Sequence, residues 1–205
     1  MSGNGIVLHE KKIVYWDVAK CACTSIKAWL GHWLGFSFQK NSDVHSLPFT
    51  RTAEWNSFPN YMHFAVTRPP LERLYSLWRD KIKPDRVTDS IYLKGVERDS
   101  LGRFYPRLRG GMSFEEFLFV ITSVPYEDCD PHFLPQRLCR PNSNIYLIEM
   151  RDLELKLNLL AASLGMPVFR ELRHVGSYEA AEREAALVGL SQRARRVFLD
   201  FEEVR

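Results

Sequence analysis

A lysine followed by small and hydroxyl-bearing residues lies between a predicted strand and a predicted helix. The segment reads Lys-Cys-Ala-Cys-Thr-Ser over residues 20–25. β-Branched and aromatic residues at 13–18 predict a buried strand before it, and apolar residues at helical spacing over 26–33 predict a helix after it. Because a helix N-terminus presents backbone N–H groups and the positive end of a dipole, we expect this loop to bind an anion such as phosphate. Lys20 adds a positive charge to that site.

The loop differs from the usual nucleoside-triphosphate loop. That loop reads G-x-x-x-x-G-K-[ST], whereas here no glycine lies between Gly5 and Gly31 and the lysine opens the loop. The Lys-Ser/Thr pair that holds Mg²⁺ is therefore absent, which argues against an ordinary kinase or NTPase. The simpler alternative is a helix capped by Thr24 or Ser25, with Lys20 in solvent.

A second cationic segment follows the next predicted strand. Residues 62–67 predict a short buried strand, Arg68 follows it, and two prolines suit the first turn of the helix that comes next. Arg68 and Ser76 together are candidates for a second phosphate site, since a guanidinium offers a bidentate fork. The alternative is a solvated polar helix face on which Glu72 and Asp80 pair the arginines. The residues opposite the apolar stripe are Arg73, Ser76, Arg79 and Asp80.

Strands and helices alternate along the chain, which predicts an α/β fold with a central parallel sheet. A third strand is predicted at 145–148, followed by a helix that Gly165 ends. Ser113 and Glu116 form a capping box at the start of another helix. In such sheets ligands bind at the carboxyl ends of the strands, which is where both cationic segments lie.

The composition is that of a soluble globular protein. The chain has 205 residues, 45% of them hydrophobic, and we expect one domain over 1–205 with a surface excursion at about 83–111. Lys and Arg number 28 against 25 Asp and Glu, and this net charge of +3 fits an anionic ligand but is too weak to indicate nucleic acid. No apolar run reaches the roughly 18 residues of a membrane span, and no signal peptide is predicted. The 4 cysteines lack zinc-ligand spacing, so we expect reduced thiols and no metal.

Together these segments resemble the cofactor motifs of sulfotransferases. The loop is similar to their 5′-phosphosulfate motif, usually written P-K-x-A-x-T-[SN], with Ala19 where the proline is usual. Residues 64–81 are similar to their 3′-phosphate motif, F-x-x-R-x-P-x-x-R-L-x-S-x-[YW]-R-D-K. Residues 130–139 are similar to the H-W-x-P-Q segment of the carbohydrate (Golgi-type, family 2) branch, with Phe133 where tryptophan is usual.

The resemblance implies a P-loop-like three-layer αβα fold and a group-transfer reaction. Such enzymes move the sulfuryl group of 3′-phosphoadenosine-5′-phosphosulfate (PAPS) in line to an acceptor hydroxyl, release adenosine 3′,5′-bisphosphate (PAP), and require no metal. Lys20 is implied at the bridging oxygen of the leaving 5′-phosphate, and Arg68 with Ser76 at the 3′-phosphate. Lys27 either adds to the first site or is a solvated helix lysine. The residues implied to contact the cofactor are Lys20, Cys21, Ala22, Cys23, Thr24, Ser25, Lys27, Arg68, Ser76 and Arg173.

A histidine is the expected general base for the acceptor hydroxyl. His45 lies between the two cofactor motifs, where similar enzymes often place a histidine. His132 belongs to the third motif and is a base, a substrate contact or a structural residue. His63 shares the interval with His45, but it lies inside a predicted strand, where a satisfied core histidine is the alternative. We therefore predict Lys20, His45 and His132 as the catalytic residues.

The acceptor stays open at this point. A sugar hydroxyl is implied by the resemblance to the carbohydrate branch, and a small-molecule or natural-product hydroxyl is the close alternative. Arg103, Arg107 and Arg109 in the excursion suit an anionic acceptor, unless the loop is simply solvated. A phosphotransferase and a non-catalytic nucleotide- or polyanion-binding module are the other classes. We expect no nucleic-acid partner and no transmembrane segment, and a cytoplasmic location unless an N-terminal anchor has been removed.

Overall fold

The computed structural model describes residues 2–38, 44, 50–83, 111–126, 129, 132–170 and 180–202. The strands are β1 (Ser2–Leu8), β2 (Ile13–Trp16), β3 (Thr50–Glu54), β4 (Met62–Thr67) and β5 (Ile145–Glu149). The helices are α1 (Cys23–Trp33), α2 (Pro70–Lys81), α3 (Phe114–Ile121), α4 (Leu153–Ser163), α5 (Ala180–Val188) and α6 (Gln192–Glu202). The chain divides into two compact units. Unit 1 comprises Met1–Arg68 and Gln136–His174, and unit 2 comprises Pro69–Pro135 and Val175–Arg205.

Unit 1 is built on a sheet with the strand order β3-β1-β2-β4-β5. β2, β4 and β5 are parallel, with Tyr15 beside Phe64 and Phe64 beside Tyr146. All of β2 and the middle of β4 are buried without alternation. Such continuous burial is typical of parallel strands that are covered on both faces. The predicted α/β fold with a parallel sheet at its centre is confirmed.

The sequence does not predict β1 and β3, which pair antiparallel beside β2. β1 begins Ser-Gly-Asn-Gly, a composition that strands usually avoid. A Cβ atom at Gly3 would lie 2.9 Å from the Cys139 carbonyl oxygen and 3.2 Å from Trp55 Nε1. The glycine therefore marks a close approach of the backbone to its neighbours, which a strand pattern does not reveal. The sheet is therefore mixed: β1 and β3 form its antiparallel part, on one side of β2.

The helices α1 and α4 belong to unit 1. On α1, Trp29 Nε1 donates to the Pro167 carbonyl oxygen (2.9 Å), and the indole meets the Phe169 ring edge-on at 5.8 Å between centroids. α4 ends just before Gly165, whose φ of 61° is left-handed, so the predicted glycine stop is confirmed. The residues that α4 buries are Leu153, Leu157, Leu160 and Ala161.

Unit 2 has an aromatic core to which α2, α3 and α6 contribute. Tyr75, Phe117 and Phe133 are its largest fully buried apolar side chains, and burying one such ring contributes about 1.5–3 kcal/mol. The predicted capping box begins α3: Glu116 N–H donates to Ser113 Oγ (3.2 Å), and Ser113 N–H donates to Glu116 Oε2 (2.7 Å). The capping box thereby satisfies two of the backbone N–H groups that have no partner within the helix.

Two expectations about organisation stay predictions. Of the excursion at 83–111, the structure describes only its two end residues. The single domain over 1–205 also stays a prediction, and the structure divides the chain into two compact units. None of the helices in the described part of the chain has the length and apolarity needed to cross a membrane.

Candidate active site

The loop between β2 and α1 has an alternating backbone. Lys20 and Ala22 are left-handed, with φ of 65° and 58°, and Cys21 between them donates its N–H to the Val18 carbonyl oxygen (3.2 Å). A left-handed conformation costs a residue with a Cβ atom about 1–2 kcal/mol, so the surrounding structure must hold it. Left-handed residues are one component of the concave backbone arrangements called nests, which bind anions.

Helix α1 begins directly after this loop. Its N-cap residue is Ala22, whose methyl group offers no hydrogen-bond acceptor. The predicted alternative, in which Thr24 or Ser25 caps the helix, is therefore wrong, because both lie within the first turn. The Ile26 N–H donates to the Ala22 carbonyl oxygen (3.0 Å), so the amides of residues 23–25 precede the helical hydrogen-bond ladder. The helix start thus presents the donors and dipole that suit an anion.

A buried ion pair spans the loop from strand to helix. Lys27 on α1 pairs with Asp17 Oδ2 just after β2, and Lys27 is only 5% exposed. Of the two alternatives for Lys27, the solvated helix lysine is therefore wrong. Asp17 Oδ1 has no hydrogen-bond partner among the described residues. The pair joins the two ends of the loop, and the Lys27 ammonium neutralises the carboxylate beneath it.

Two titratable side chains in and near the loop, those of Cys23 and Tyr15, stay protonated at neutral pH. Burial, and secondarily the Asp17 carboxylate, raise the pKa of the Cys23 thiol, although Lys27 and the backbone N–H of Lys20 act in the opposite direction. Burial, with a smaller effect of Asp17, also raises the pKa of Tyr15 well above its usual value. Because both groups stay neutral and Asp17 is paired, little negative charge opposes an anion in the loop.

Arg68 is held by an amide from a distant part of unit 1. Gln136 Oε1 accepts from the Arg68 N–H (3.0 Å), and Gln136 Nε2 donates to the Arg68 carbonyl oxygen (2.7 Å). The same Oε1 accepts from the Cys21 thiol (3.4 Å). One buried side chain therefore contacts both the loop after β2 and the residue after β4.

The polar face predicted for α2 is only partly solvated. Arg73 is fully buried, and it donates to the carbonyl oxygens of His132 (2.9 Å) and Leu134 (2.6 Å). The expectation that acidic neighbours on α2 pair its arginines in solvent is wrong for Arg73. Glu72 instead receives Arg183 from α5 (2.9 Å). Arg73 thus fixes the backbone of the third motif within unit 2.

Hydrogen bonds define the role of His63. Trp16 Nε1 donates to His63 Nδ1 (3.0 Å), so the ring proton lies on Nε2 and is donated to the Phe58 carbonyl oxygen (2.8 Å). The ring is 7% exposed. His63 is therefore the satisfied core histidine that the sequence offered as an alternative.

The remaining predicted site residues divide between the units. Unit 1 holds the loop and Arg68, whereas Ser76, partly exposed on α2, and His132, partly exposed after the α3 region, belong to unit 2. His45 and Arg173 lie outside the described residues. The convergence of these side chains on one cofactor stays a prediction. The sequence missed three contributors, although each lies in or beside a quoted motif: Asp17, Arg73 and Gln136.

No group of three or more metal-binding side chains occurs among the residues that the structure describes. The four cysteines are free thiols: Cys21, Cys23, Cys129 and Cys139. The sequence model described as the sulfotransferase family, family 2, matches residues 4–200. Neither the curated proteins nor the solved structures offer a match.

Proposed function

The chain belongs to the sulfotransferase family and has its P-loop-like αβα fold, and from that premise we propose that it transfers the sulfuryl group of PAPS to a carbohydrate hydroxyl with a histidine as base. Sulfuryl transfer is the reaction of this family, and PAPS is the donor that the family generally uses. The observation that carries the proposal is the loop over 20–25, which has two left-handed residues, bears a lysine and leads directly into the start of α1.

The residues present fit a donor that carries two anionic groups. The loop and the start of α1 suit the 5′-phosphosulfate, because backbone donors and a helix dipole favour negative charge. Arg68, anchored through its backbone, suits the 3′-phosphate. When bound, PAPS supplies a sulfuryl group that is activated by its linkage to phosphate. We assign the 5′-phosphosulfate to the loop residues and the 3′-phosphate to Arg68 with Ser76.

Positioning and charge stabilisation are the work of the protein in this proposal. The Lys20 ammonium holds positive charge where negative charge develops on the leaving oxygen. Thr24 and Ser25 supply hydroxyl donors in the first turn of α1. The Lys27 charge faces Asp17, and this ion pair holds the two ends of the loop together. A direct contact of Lys27 with phosphate stays a prediction.

We assign the base to His45, with His132 as the second candidate. The base must take a proton from the acceptor hydroxyl within hydrogen-bond reach. His63 is unsuitable, because both of its ring nitrogens are engaged in the core. The support for His45 is its place between the cofactor motifs, and that for His132 is its partial exposure within the third motif.

The carbohydrate acceptor is supported by the third motif, over 130–139, which is similar to that of the carbohydrate branch. Arg73 donates hydrogen bonds to two backbone carbonyl oxygens of this motif, and these bonds hold the backbone of the motif in place. A small-molecule hydroxyl is the alternative acceptor. In either case Arg103, Arg107 and Arg109 suit an acceptor that carries carboxylate or sulfate groups.

A transfer assay with ³⁵S-labelled PAPS tests the proposal. Acidic and neutral oligosaccharides are offered beside phenols and alcohols, and we expect label on an oligosaccharide without added metal. His45→Ala should lower turnover by about 10²–10⁴-fold with PAP affinity unchanged. His32→Ala, which alters an exposed histidine of α1, is the matched control. Label on a small alcohol alone contradicts the carbohydrate assignment. PAP binding without transfer to any acceptor favours the non-catalytic module.

A further inference from the structure

Gln136 is a buried polar side chain whose amide oxygen and amide nitrogen both form hydrogen bonds. It is 6% exposed and lies in the 3₁₀ turn Gln136–Leu138, at the end of the third motif. Both ends of its amide bond the backbone of Arg68, at 3.0 Å and 2.7 Å. The orientation of the amide is fixed by chemistry, because only the oxygen can accept from the Arg68 N–H and only the nitrogen can donate to its carbonyl.

The third contact of Gln136 reaches the other anion site. The Cys21 thiol, buried in the loop after β2, donates to the same Oε1 at 3.4 Å. A thiol is a weak donor, so this bond contributes less than the two bonds to Arg68. Two loops that follow adjacent parallel strands, β2 and β4, are thereby joined through one side chain.

We propose that Gln136 is a positioning residue that couples the two phosphate subsites of the cofactor. This inference rests on the proposed function, since it takes the loop as the 5′ subsite and Arg68 as the 3′ subsite. Gln136 fixes the backbone of Arg68 relative to Cys21, so the backbone that carries the arginine keeps its spacing from the loop. Without this link each subsite still exists, but the protein must order one against the other when the ligand binds.

Coupling makes a prediction that a purely structural role does not. A structural role lowers the stability of unit 1, and the affinities for all nucleotides fall together. A coupling role lowers the gain in affinity that the 3′-phosphate provides. The quantity to measure is therefore the ratio of the dissociation constant of AMP to that of PAP, because AMP lacks only the 3′-phosphate.

The test variant is Gln136→Met, which keeps the length of the side chain and removes all three hydrogen bonds. The matched control is Asn158→Leu. Asn158 clamps the backbone of Phe169 with the same pair of bonds, at 2.7 Å and 3.2 Å, within the same unit. Calorimetry with AMP and PAP should show the ratio falling about tenfold in Gln136→Met, the size of one hydrogen bond to a charged group. The control should keep the wild-type ratio while losing comparable thermal stability.

An unchanged ratio in folded Gln136→Met overturns the inference. If circular dichroism shows that this variant does not fold, Cys21→Ala decides, because it removes the thiol bond to Gln136 and leaves both bonds to Arg68 in place. The ratio should then fall about threefold and recover in Cys21→Ser, whose hydroxyl restores a donor. An unchanged ratio in Cys21→Ala overturns the coupling. A wild-type protein that binds AMP and PAP equally contradicts the proposed function itself, which separates the two failures.

Discussion

The loop over 20–25 draws its shape from its own backbone, whereas Arg68 depends on an amide 68 residues further along the chain. In the loop, two left-handed residues and a helix start would form the proposed anion site from main-chain groups. At Arg68 the charge comes from a side chain, and Gln136 fixes only the backbone that carries it. The first site is local in sequence, and the second is assembled by tertiary structure.

This difference predicts different responses to substitution. A site made of backbone tolerates changes of side chain, except where a side chain supplies charge or holds the backbone in place. A site made of one guanidinium loses its ligand contact when that side chain is removed. The variants below test the two sites separately, in order of expected effect.

Lys20→Ala should have the largest effect. We expect turnover to fall about 10²–10³-fold, the usual effect of removing one donor at a developing negative charge. PAP affinity should fall much less, because the backbone of the loop remains. Lys12→Ala is the matched control, since Lys12 is also a left-handed lysine, with φ of 51°, next to the opposite end of β2. Equal losses of turnover in the two variants would show that strain, and not charge, is responsible.

Of these variants, Asp17→Asn should lower the free energy of unfolding the most. It leaves the buried Lys27 ammonium without its counter-charge, which costs about 3 kcal/mol in the free energy of unfolding, as measured by urea denaturation. The double variant Asp17→Asn/Lys27→Met should recover most of this loss. Arg151→Gln, which breaks an exposed pair with Glu149, should change stability by at most about 1 kcal/mol. A double variant as unstable as the sum of its parts would refute the pairing.

Arg68→Ala should lower the affinity for PAP and leave the affinity for AMP nearly unchanged. PAP affinity is expected to fall about 10–100-fold, while AMP affinity stays within about twofold, because the guanidinium bonds only the 3′-phosphate. Calorimetry with both nucleotides measures this, and Arg151→Ala, at a side chain that is 76% exposed, is the control. A parallel loss of AMP affinity would place Arg68 at the 5′ group instead.

Ala22→Gly should have the smallest effect, and it should be stabilising. Glycine removes the left-handed strain at this position, so the free energy of unfolding should rise by about 0.5–1 kcal/mol. Ala185→Gly, in the middle of α5, should instead lower it by about 1 kcal/mol. Thermal denaturation of both variants gives the comparison. Destabilisation by Ala22→Gly would mean that the loop is not held in this conformation.

The same contrast explains what the sequence could predict. The parallel strands, the glycine stop of α4 at Gly165 and the capping box at Ser113 follow from local pattern, and all three are confirmed. β1 was missed because Gly3 serves a close backbone approach and glycine has a low strand propensity. The burial of Arg73 and the clamp by Gln136 were missed because their hydrogen-bond partners are far away in sequence. A helical pattern cannot report such long-range contacts.

Calorimetric titration of the wild-type protein with PAP shows whether the loop and Arg68 form one donor site. AMP and ATP with Mg²⁺ are the comparison ligands. We predict that PAP binds without metal, and at least tenfold more tightly than AMP, because both phosphate subsites are then occupied. Absence of PAP binding, or a preference for ATP with Mg²⁺, would contradict the assignment of the loop over 20–25 and Arg68 to a single sulfuryl-donor site.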